Sequence, residues 1–310
     1  MPDNLPTVSV IIPASNAAEV LPRALESIEN QTYPHIVEVV VAAADEASAR
    51  AGAGVAVVDN PEGSTPAGLN LAIAASSGEV IVRCDAQSIL PPEYISRAVE
   101  TLMRTGAAHV GGMQVPVGET KWERAIAAAM SSPFGAGDAR YRIGGEEGSV
   151  ETVYLGVFRR DALERVGGFD ESFIRNQDYE LNHRLIESGE TVWFDPELQV
   201  RYRPRGSLGS LARQYFEYGR AKRAFVRRHR GSLRWRQLPA PIVTVILLGA
   251  LLVSIWVPAA LLLLLAYASA LIAIGFTIRA RNAIQIAAAL ATMHLSWGWG
   301  FLLPDRSAHQ

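Results

Sequence analysis

The chain has 310 residues, of which 31 are acidic and 29 are basic, and 49% of its residues are hydrophobic. This length is large for one domain, and the formal net charge of −2 at pH 7 hides an uneven distribution of charge along the chain. The single cysteine, Cys84, excludes an intramolecular disulfide framework.

The first hundred residues alternate between strand-like and helix-like segments. Apolar runs predict strands over 8–13, 36–42, 55–59 and 81–83. Helical spacing of apolar residues predicts helices over 20–28, from Thr65 to Ile73 and over 94–102. Asn16 and Thr65 are expected to cap the first two of these helices. Repeated strand–helix units are typical of a largely parallel sheet covered by helices.

Polar residues follow the end of each of these four strands. In chain order they are Ser15 and Asn16, then Asp45, then Asp59 and Asn60, then Arg83 and Asp85. Ligands of open α/β sheets bind just outside the carboxyl ends of the strands, so this edge is a candidate site for a ligand the size of a nucleotide. The alternative is an ordinary solvated turn, since Asp and Ser favour turns.

After Gly106 the alternation is less regular. We predict strands over 109–115, 150–158 and 191–194, helices near 121–131, 161–166 and 178–188, and a mobile loop in the glycine-rich stretch 135–148. Asp178, Leu181 and Leu185 share a helical face, so Asp178 begins the last of these helices. An acid in the first turn is common for helical reasons alone. The polar side chains from Asn176 to Arg184 nevertheless exceed what a plain surface helix requires.

The C-terminal part of the chain is strongly apolar. Almost no charge occurs from Pro241 to Ile278, and the length of this stretch suits two membrane spans joined at Pro258. A third apolar stretch, 283–303, is interrupted by polar and aromatic residues and either spans the membrane or lies in its interface. The sequence therefore predicts a membrane domain of two to three helices over 237–310.

Basic residues dominate the segment from Arg201 to Arg236, where Glu217 is the only acid. The positive-inside bias places this segment in the cytoplasm, and with it residues 1–236 as one domain. The absence of an apolar signal segment before Val8 agrees with this expectation. Attachment to anionic lipid is the alternative reading of the basic segment and is compatible with a further role.

Four motifs occur in a fixed order along the chain. They are VSVIIPASN (8–16), PAGLNLAIAASSGEVIVRCDAQS (66–88), YLGVFRRDALERVGGFDE (154–171) and RNQDYELNHRL (175–185). In this order and spacing they resemble family 2 inverting glycosyltransferases with the GT-A fold. More narrowly, they are similar to the membrane-attached glycosyltransferases of succinoglycan-type exopolysaccharide synthesis. The resemblance covers residues 7–225 and continues more weakly into the apolar tail.

The resemblance implies an α/β fold with a GT-A-like nucleotide-sugar-binding domain, a mainly parallel central sheet and C-terminal transmembrane helices. It implies Asp178 as the general base, and Asp85 with Gln87 as ligands of a divalent cation, Mg²⁺ or Mn²⁺. The donor site would be formed by Pro13, Ser15, Asn16, Asp45, Asn70, Arg83, Asp85 and Gln87. Contacts to the acceptor or diphosphate would come from Gln177, Glu180, Gln214 and Arg220.

The sequence departs from the family pattern in three places. Alanines occupy 42–44, where related enzymes commonly have an Asp that holds the nucleotide base, so Asp45 is the first acid available. Gln87 offers a neutral amide oxygen where a second carboxylate is usual. The stretch QYFEYGRAK (214–222) lacks the Gln-x-x-Arg-Trp motif of processive relatives, and its aromatic residues equally suit a membrane-interface belt. Arg83 either contacts the diphosphate or forms a salt bridge with a nearby acid.

These features together predict an inverting hexosyltransferase of the cell membrane. It would be a multi-pass protein whose catalytic domain faces the cytoplasm, and it would move one sugar from a nucleotide-diphosphate donor to a lipid-linked or glycan acceptor. Membrane lipid is an expected partner and nucleic acid is not. Two alternatives remain open at this point: a polyprenyl-phosphate glycosyltransferase and a non-catalytic membrane assembly subunit.

Overall fold

The computed structural model describes residues 5–303, except for the side chain of Arg236. These residues pack as two compact units. The first unit contains the residues up to Val115 and Gly144–Tyr202, and the second contains Pro116–Ile143 and the residues from Arg203 onward. The predicted boundary between the domains 1–236 and 237–310 marks the start of the membrane domain, and it stays a prediction. The ends of the two predicted domains, residues 1–4 and 304–310, lie outside the described residues.

The first unit is built on one eight-stranded sheet. Its strands are β1 (Val8–Ala14), β2 (Ile36–Ala43), β3 (Ala56–Asp59), β4 (Val80–Arg83), β5 (His109–Pro116), β6 (Gly148–Ser149), β7 (Tyr154–Arg159) and β8 (Val192–Tyr202). The strand order is β3-β2-β1-β4-β7-β5-β8-β6. Pairing is parallel from β3 through β4, while β4 and β5 each pair antiparallel with β7. Strands β1 to β5 therefore all run in one direction, which confirms the prediction of a mainly parallel sheet.

The helices flank this sheet and build the second unit. In chain order they are α1 (Leu21–Glu29), α2 (Glu46–Ala51), α3 (Thr65–Ala74), α4 (Tyr94–Thr105), α5 (Lys121–Met130), α6 (Pro133–Ala136), α7 (Arg140–Ile143), α8 (Arg160–Val166), α9 (Gln177–Glu187), α10 (Leu208–Arg228), α11 (Pro239–Val253), α12 (Leu261–Arg279) and α13 (Ala283–Leu302). The first unit contains α1 to α4, α8 and α9, and the second contains the others.

The core of the first unit explains why its central strands read as continuous apolar runs. Val10, Ile12 and Val82 are fully buried, and Leu21 of α1 and Ile95 of α4 belong to the same core cluster. Strands covered by helices on both faces have no solvated side, so polar residues do not alternate with apolar ones. Each fully buried side chain of this kind stabilises the fold by about 1.5–3 kcal/mol. This core holds the strand ends, and the polar residues that follow them, in fixed positions.

The later part of the first unit differs from the predicted elements. Strand β7 begins at Tyr154 rather than at residue 150, and β8 continues to Tyr202 rather than ending at Phe194. The extension of β8 was missed because buried Leu198 and Val200 alternate with exposed polar residues and follow Pro196, which breaks the apolar run. The stretch 135–148, predicted as a loop, contains the short helix α7.

Both predicted helix caps are wrong. Helix α1 begins at Leu21 and has no side-chain cap, so Asn16 does not open it. Helix α3 is capped by Ser64, whose Oγ accepts a hydrogen bond from the backbone N–H of Ala67 at 3.3 Å. Thr65 is the first helical residue instead. Neighbouring Ser and Thr residues are both good caps, so the sequence alone does not select between them.

The second unit is a group of helices around α13. Ile286, Leu290 and Met293 of α13 are buried among α5, α10, α11 and α12, whereas Leu252 of α11 and Leu265 of α12 are 60% and 62% exposed. The helical segment Pro258–Leu302 is long and apolar enough to cross a membrane by length and composition, and Pro239–Val253 is a shorter apolar helix. This apolar surface indicates association with a membrane.

Glycines allow α13 to approach α10 closely. A Cβ atom added to Gly219 of α10 would lie 2.1 Å from the carbonyl oxygen of Trp297, and one added to Gly300 of α13 would lie 2.1 Å from that of Phe216. The two backbones are therefore in direct contact at both positions. Small residues that allow such approach are typical of helices packed within membranes, where dispersion contacts replace the hydrophobic effect.

Candidate active site

The parallel register brings the first polar loops of the sheet together. Ala14 of β1 pairs with Ala43 of β2, so the two strands end at the same level. Just beyond them, Asp45 accepts a hydrogen bond from the backbone N–H of Asn16 at 2.7 Å through Oδ2 and one from the backbone N–H of Ser48 at 2.9 Å through Oδ1. Donation from Ser48 and from Asn16 holds the pKa of Asp45 below its usual value. Asp45 therefore joins the loop after β1 to the start of α2.

The remaining donor-site residues of this edge lie in the same two loops and in α3. Pro13 is half-buried at the end of β1, while Ser15 and Asn16 are exposed. The side-chain amide of Asn60, which follows β3, donates to the carbonyl of Ser64 at 3.0 Å and so fixes the entry to α3. The strand ends thus present an exposed loop beside two anchored turns, an arrangement that suits binding of a nucleotide.

A buried arginine lies between two carboxylates at the end of β4. Nε of Arg83 donates to Oδ1 of Asp85 at 2.9 Å, and Nη1 of Arg83 donates to Oδ1 of Asp178 on α9. The Arg83 side chain is 5% exposed, whereas those of Asp85 and Asp178 are 21% and 31% exposed. The guanidinium of Arg83 is therefore enclosed by the protein, whereas both carboxylates remain accessible from solvent.

The electrostatics of this trio follow from burial and proximity. Burial alone would lower the pKa of Arg83, but the charges of Asp178 and Asp85 outweigh it and raise the pKa, so the guanidinium stays protonated. Burial raises the pKa of Asp178 above its usual value, with a smaller contribution from Asp85, while Arg83 opposes this shift. The trio carries one net negative charge when both carboxylates are ionised.

Each carboxylate keeps one oxygen for a ligand. Within residues 5–303, Oδ1 of Asp85 and Oδ1 of Asp178 are held by Arg83, and neither Oδ2 atom makes a hydrogen bond. Gln87 is exposed in a turn that is closed by a 2.8 Å hydrogen bond from the backbone N–H of Ser88 to the carbonyl of Asp85. A carboxylate oxygen and an amide oxygen fit Mg²⁺ or Mn²⁺, hard cations that accept oxygen ligands and waters.

Local structure fixes the position of Asp178. Asn176 adopts a left-handed backbone (φ +61°), which turns the chain into α9, and Gln177 is the first residue of the helix and is half-buried. Leu181 and Leu185, on the same face as Asp178, are fully buried and anchor the helix. The first turn of α9 therefore presents Asp178 toward Arg83.

Asn70 of α3 is hydrogen-bonded to the segment that precedes α9. Its Oδ1 accepts a hydrogen bond from the backbone N–H of Phe169 at 2.9 Å, and its Nδ2 donates to the carbonyl of Phe169 at 2.9 Å. Gly168 adopts a positive φ of 72°, and a Cβ there would lie 2.7 Å from Oδ1 of Asn70. Asn70 thus clamps the approach to α9, a structural contact that the sequence did not predict.

Glu180 also has a structural partner. Its side chain is 1% exposed and pairs with Arg184, whose Nη2 lies 2.7 Å from Oε2 of Glu180. The same guanidinium donates to the carbonyls of Val166 and Gly168. This set of contacts favours a role for Glu180 in holding α9 over a role in contacting the acceptor.

Gln214 and Arg220 lie in the second unit, on α10. The side-chain amide of Gln214 donates to the hydroxyl of Tyr218 at 2.9 Å, and the rings of Tyr215 and Tyr218 pack edge to face. Arg220 is half-buried. The aromatic residues of this segment therefore pack with one another along the helix.

His109 and Asn182 form a buried contact that was not predicted from the sequence. Nδ1 of the fully buried His109 lies 2.6 Å from Oδ1 of Asn182 on α9, and its Nε2 lies 3.2 Å from the carbonyl oxygen of Leu155. Burial lowers the pKa of His109 to about 4, so the ring is neutral at pH 7. Its ring stacks on Phe158 with centroids 3.8 Å apart. A histidine at the start of an apolar strand gave no signal of this contact.

The strand opposite Arg83 is strained at the same level. Leu155 has a positive φ of 51°, a rare conformation for a branched side chain. Gly156 pairs with Arg83, and a Cβ at this glycine would lie 1.8 Å from Nε2 of His109. Burial raises the pKa of the neighbouring Tyr154, and the charge of Asp85 adds to that shift. Tyr154 therefore lies close enough to Asp85 to sense its charge, although no spacing in the sequence indicated it.

A mainly parallel sheet with accessible carboxylates at the end of β4 and on α9 is the arrangement expected of a GT-A-type glycosyltransferase. Comparison with known proteins agrees with this class. The family model "Glycosyl transferase family 2" matches residues 9–167, and the chain belongs to this family.

Three known proteins are similar to this chain in sequence. Succinoglycan biosynthesis protein ExoA of Rhizobium meliloti is 34% identical over 254 residues, which cover 80% of this chain and 76% of that protein. Glycosyltransferase AglE of Haloferax volcanii is 28% identical over 237 residues, covering 72% and 75%. A dolichyl N-acetyl-alpha-D-glucosaminyl phosphate 3-beta-D-2,3-diacetamido-2,3-dideoxy-beta-D-glucuronosyltransferase of Methanococcus voltae is 23% identical over 247 residues, covering 74% and 76%.

A solved structure shares the fold. The mannosyltransferase PcManGT from Pyrobaculum calidifontis, in complex with GDP-Man and Mn²⁺, superposes with a TM-score of 0.64 at 21% sequence identity. The match covers 95% of this chain and 88% of that chain. The prediction of the GT-A fold is confirmed.

Proposed function

We propose that this protein is an inverting hexosyltransferase that moves a sugar from a nucleotide-diphosphate donor to a lipid-linked or glycan acceptor in exopolysaccharide or cell-envelope glycan synthesis. The observation that carries the proposal is the bridge from Asp85 through Arg83 to Asp178, which leaves one oxygen of each carboxylate available. The relative of Rhizobium meliloti takes part in succinoglycan biosynthesis by its name, and that of Methanococcus voltae acts on a dolichyl-linked sugar phosphate.

Asp178 is the general base of the proposed reaction. Its Oδ2 takes the proton of the acceptor hydroxyl while the hydroxyl oxygen forms a bond to the anomeric carbon of the donor sugar. The bond from that carbon to the diphosphate breaks on the opposite face, and its electron pair leaves with the nucleoside diphosphate. Displacement in one step inverts the anomeric centre. Arg83 keeps Oδ1 of Asp178 occupied, so only one oxygen of this carboxylate takes the proton.

Asp85 and Gln87 would hold a divalent cation, Mg²⁺ or Mn²⁺, when it is bound. The cation would neutralise charge that develops on the departing diphosphate. Arg83 contributes a fixed positive charge beside the same position, because its guanidinium stays protonated and enclosed. The salt bridge and the diphosphate contact considered for Arg83 are therefore compatible, since the guanidinium has five donors.

Residues of the first two loops would bind the nucleotide part of the donor. Ser15 and Asn16 are exposed, and Asp45 holds the backbone of Asn16 in place. Pro13 stiffens the exit from β1 because its ring fixes φ. Gln177 begins α9 next to Asp178 and is the predicted acceptor contact nearest to the base along the chain. Asn70 would act on the donor site through the segment that precedes α9.

The protein is proposed to be a multi-pass membrane protein with its first unit in the cytoplasm. The apolar surface of α11, α12 and α13 and the basic residues of α10 support this orientation by the positive-inside bias. Gln214 and Arg220 of α10 would lie near the membrane surface and contact the acceptor or its phosphate. The missing Gln-x-x-Arg-Trp motif favours addition of one sugar per binding event.

The test is release of nucleoside diphosphate from a panel of nucleotide sugars by the full-length protein in detergent, with and without Mg²⁺ or Mn²⁺. We expect metal-dependent release from one donor and loss of release in Asp85→Ala. The anomeric configuration of the product, measured by NMR with added lipid-linked acceptor, should be inverted relative to the donor. Absence of turnover with every donor, metal and added membrane lipid would overturn the proposal in favour of a non-catalytic role.

A further inference from the structure

The second unit contains an open apolar groove, here called the helix groove, between α10, α11, α12 and α13. Its volume is about 780 Å³, within the range of pockets that enclose a bound ligand. Leu248 and Leu251 of α11, Leu295 of α13 and Trp299 of α13 supply apolar lining. A groove of this size between helices is a binding site when a ligand matches its chemistry.

Two polar side chains of the helix groove have partners within the protein. The hydroxyl of Thr244 donates to the carbonyl of Ala240 at 2.8 Å, and the hydroxyl of Tyr267 is hydrogen-bonded to Nδ1 of His294 at 3.0 Å. Among the described residues that line the groove, Arg213 of α10 is the only charged one. It is exposed and has no ion pair or hydrogen-bond partner within residues 5–303.

These features select an elongated apolar ligand with one anionic end. Hydrocarbon would pack against the leucines and Trp299 through dispersion contacts, which are individually small and collectively large. A phosphate at the end of the chain would pair with Arg213, since a guanidinium matches phosphate oxygens in geometry and charge. A soluble sugar or nucleotide has no hydrocarbon to fill the groove.

We propose that the helix groove binds the hydrocarbon chain of a polyprenyl-phosphate-linked acceptor and that Arg213 pairs with the phosphate of that acceptor. The inference rests on the proposed function, because it assigns the lipid part of the acceptor that the transferase would extend. A lipid held by the same polypeptide that holds the donor raises the effective concentration of acceptor at the reaction. The groove thus favours a lipid-linked acceptor over a free glycan.

The experiment is photo-labelling of the full-length protein in phosphatidylcholine nanodiscs with a polyprenyl phosphate that carries a diazirine on its chain. Peptide mapping should locate the label on α11 and α13. Leu248→Trp fills the helix groove and should reduce labelling about tenfold, and Arg213→Gln should reduce it about tenfold while Arg213→Lys restores part of it. Matched controls are Leu263→Trp on α12 and Arg227→Gln on α10, which lie outside the groove lining and should label normally.

Competition identifies the ligand. Unlabelled polyprenyl phosphate should abolish labelling, and the corresponding polyprenol, which lacks phosphate, should compete about tenfold less well. Competition by phosphatidylglycerol equal to that by polyprenyl phosphate would assign the groove to a bulk anionic lipid and overturn the proposal. Labelling that is unchanged in Leu248→Trp, in a variant that elutes as a folded protein, would overturn it as well.

Donor hydrolysis separates this inference from the proposed function. Release of nucleoside diphosphate in water should be unchanged in Leu248→Trp and Arg213→Gln, whereas the KM for the lipid-linked acceptor should rise about tenfold. Normal donor turnover without specific labelling would overturn the helix-groove proposal alone. Specific labelling without turnover of any donor would overturn the proposed function and leave the assigned lipid site standing.

Discussion

Arg83 donates hydrogen bonds to both Asp85 and Asp178, two carboxylates that come from different elements of the first unit. Through these hydrogen bonds, one guanidinium holds both the proposed ligand of the divalent cation, Asp85, and the proposed general base, Asp178. Loss of the guanidinium would therefore remove a hydrogen bond from both carboxylates.

Replacing Asp178 by Asn should abolish transfer and preserve donor binding. The amide has the same shape but accepts no proton, and loss of a general base costs about 10²–10⁴-fold in rate. Turnover with acceptor and binding of a nucleoside diphosphate should be measured on the same preparation. Asp170→Asn is the matched control, since Asp170 is an acid of the preceding loop with a local hydrogen bond to Ser172. Preserved turnover in Asp178→Asn would remove Asp178 from its assigned role.

Replacing Arg83 by Lys should lower kcat about tenfold to a hundredfold. An ammonium keeps the charge but has no fork that reaches two carboxylates, and a hydrogen bond to a charged group contributes about 1.5–3 kcal/mol. Arg97→Lys is the control, because Arg97 makes a similar two-point contact with Asp195, at 2.9 and 3.2 Å, outside the trio. Equal loss of activity in the two variants would indicate a general effect on stability.

Replacing Gln87 by Asp should strengthen metal binding. A second carboxylate is a better ligand than an amide for a hard cation, so the Mn²⁺ concentration for half-maximal donor hydrolysis should fall about tenfold. Gln199→Asp introduces the same charge at an exposed position of β8 and should leave the metal titration unchanged. A titration that does not move in Gln87→Asp would exclude Gln87 as a ligand.

Acid should destabilise the protein through His109. Burial lowers its pKa to about 4 in the folded state from an unfolded value near 6.5, so the unfolded chain binds more protons between these pH values. The contribution of His109 is fully present above about pH 6.5 and is lost as the pH falls toward 4, by about 3 kcal/mol at 1.36 kcal/mol per pKa unit.

The check on His109 is chemical denaturation from pH 7 to pH 4. The slope should flatten in His109→Gln, which lacks a titrating group. His35→Gln changes an exposed histidine of the same unit and should keep the slope of the parent protein. An unchanged slope in His109→Gln would show that other groups dominate the acid response.

Alanine should have opposite effects at two glycines of α10. Gly219→Ala places a Cβ 2.1 Å from the carbonyl of Trp297 and should destabilise the second unit by about 1–3 kcal/mol. The Cβ of Gly209→Ala meets no described atom of residues 5–303 within 4 Å, and this variant should stabilise the helix by about 0.5–1 kcal/mol. Thermal unfolding in detergent measures both, and a stabilising effect of Gly219→Ala would contradict the close approach of α10 and α13.

The parallel half of the fold could be predicted because its signals are local. Strands β1 to β4 are apolar runs followed by polar residues, and helices α1 and α3 follow the spacing of their apolar side chains. The short helix α2 was not predicted. The polar edge followed from parallel register alone. Asp85 and Asp178 were found as candidates by their place at a strand end and a helix start.

The contacts between distant residues could not be predicted in the same way. The partner of Arg83 was left open between a phosphate and an acid, because pairing with Asp178 depends on how α9 packs. His109 and Asn182 are 73 residues apart, and neither has a local pattern that announces the other. The extension of strand β8 to Tyr202 was not predicted because its buried residues alternate with polar ones and follow a proline.

The distance of 95 residues between Arg83 and Asp178 along the chain has a consequence for synthesis of the protein. The residues of β1 to β4 leave the ribosome first, but a domain folds as a unit, and β4 also pairs with β7, which is translated later. Until the segment that contains α9 has been translated, Arg83 lacks Asp178, one of its two counter-charges. Completion of the β4 end of the sheet, and with it the first appearance of activity, is thus timed by a late part of the nascent chain.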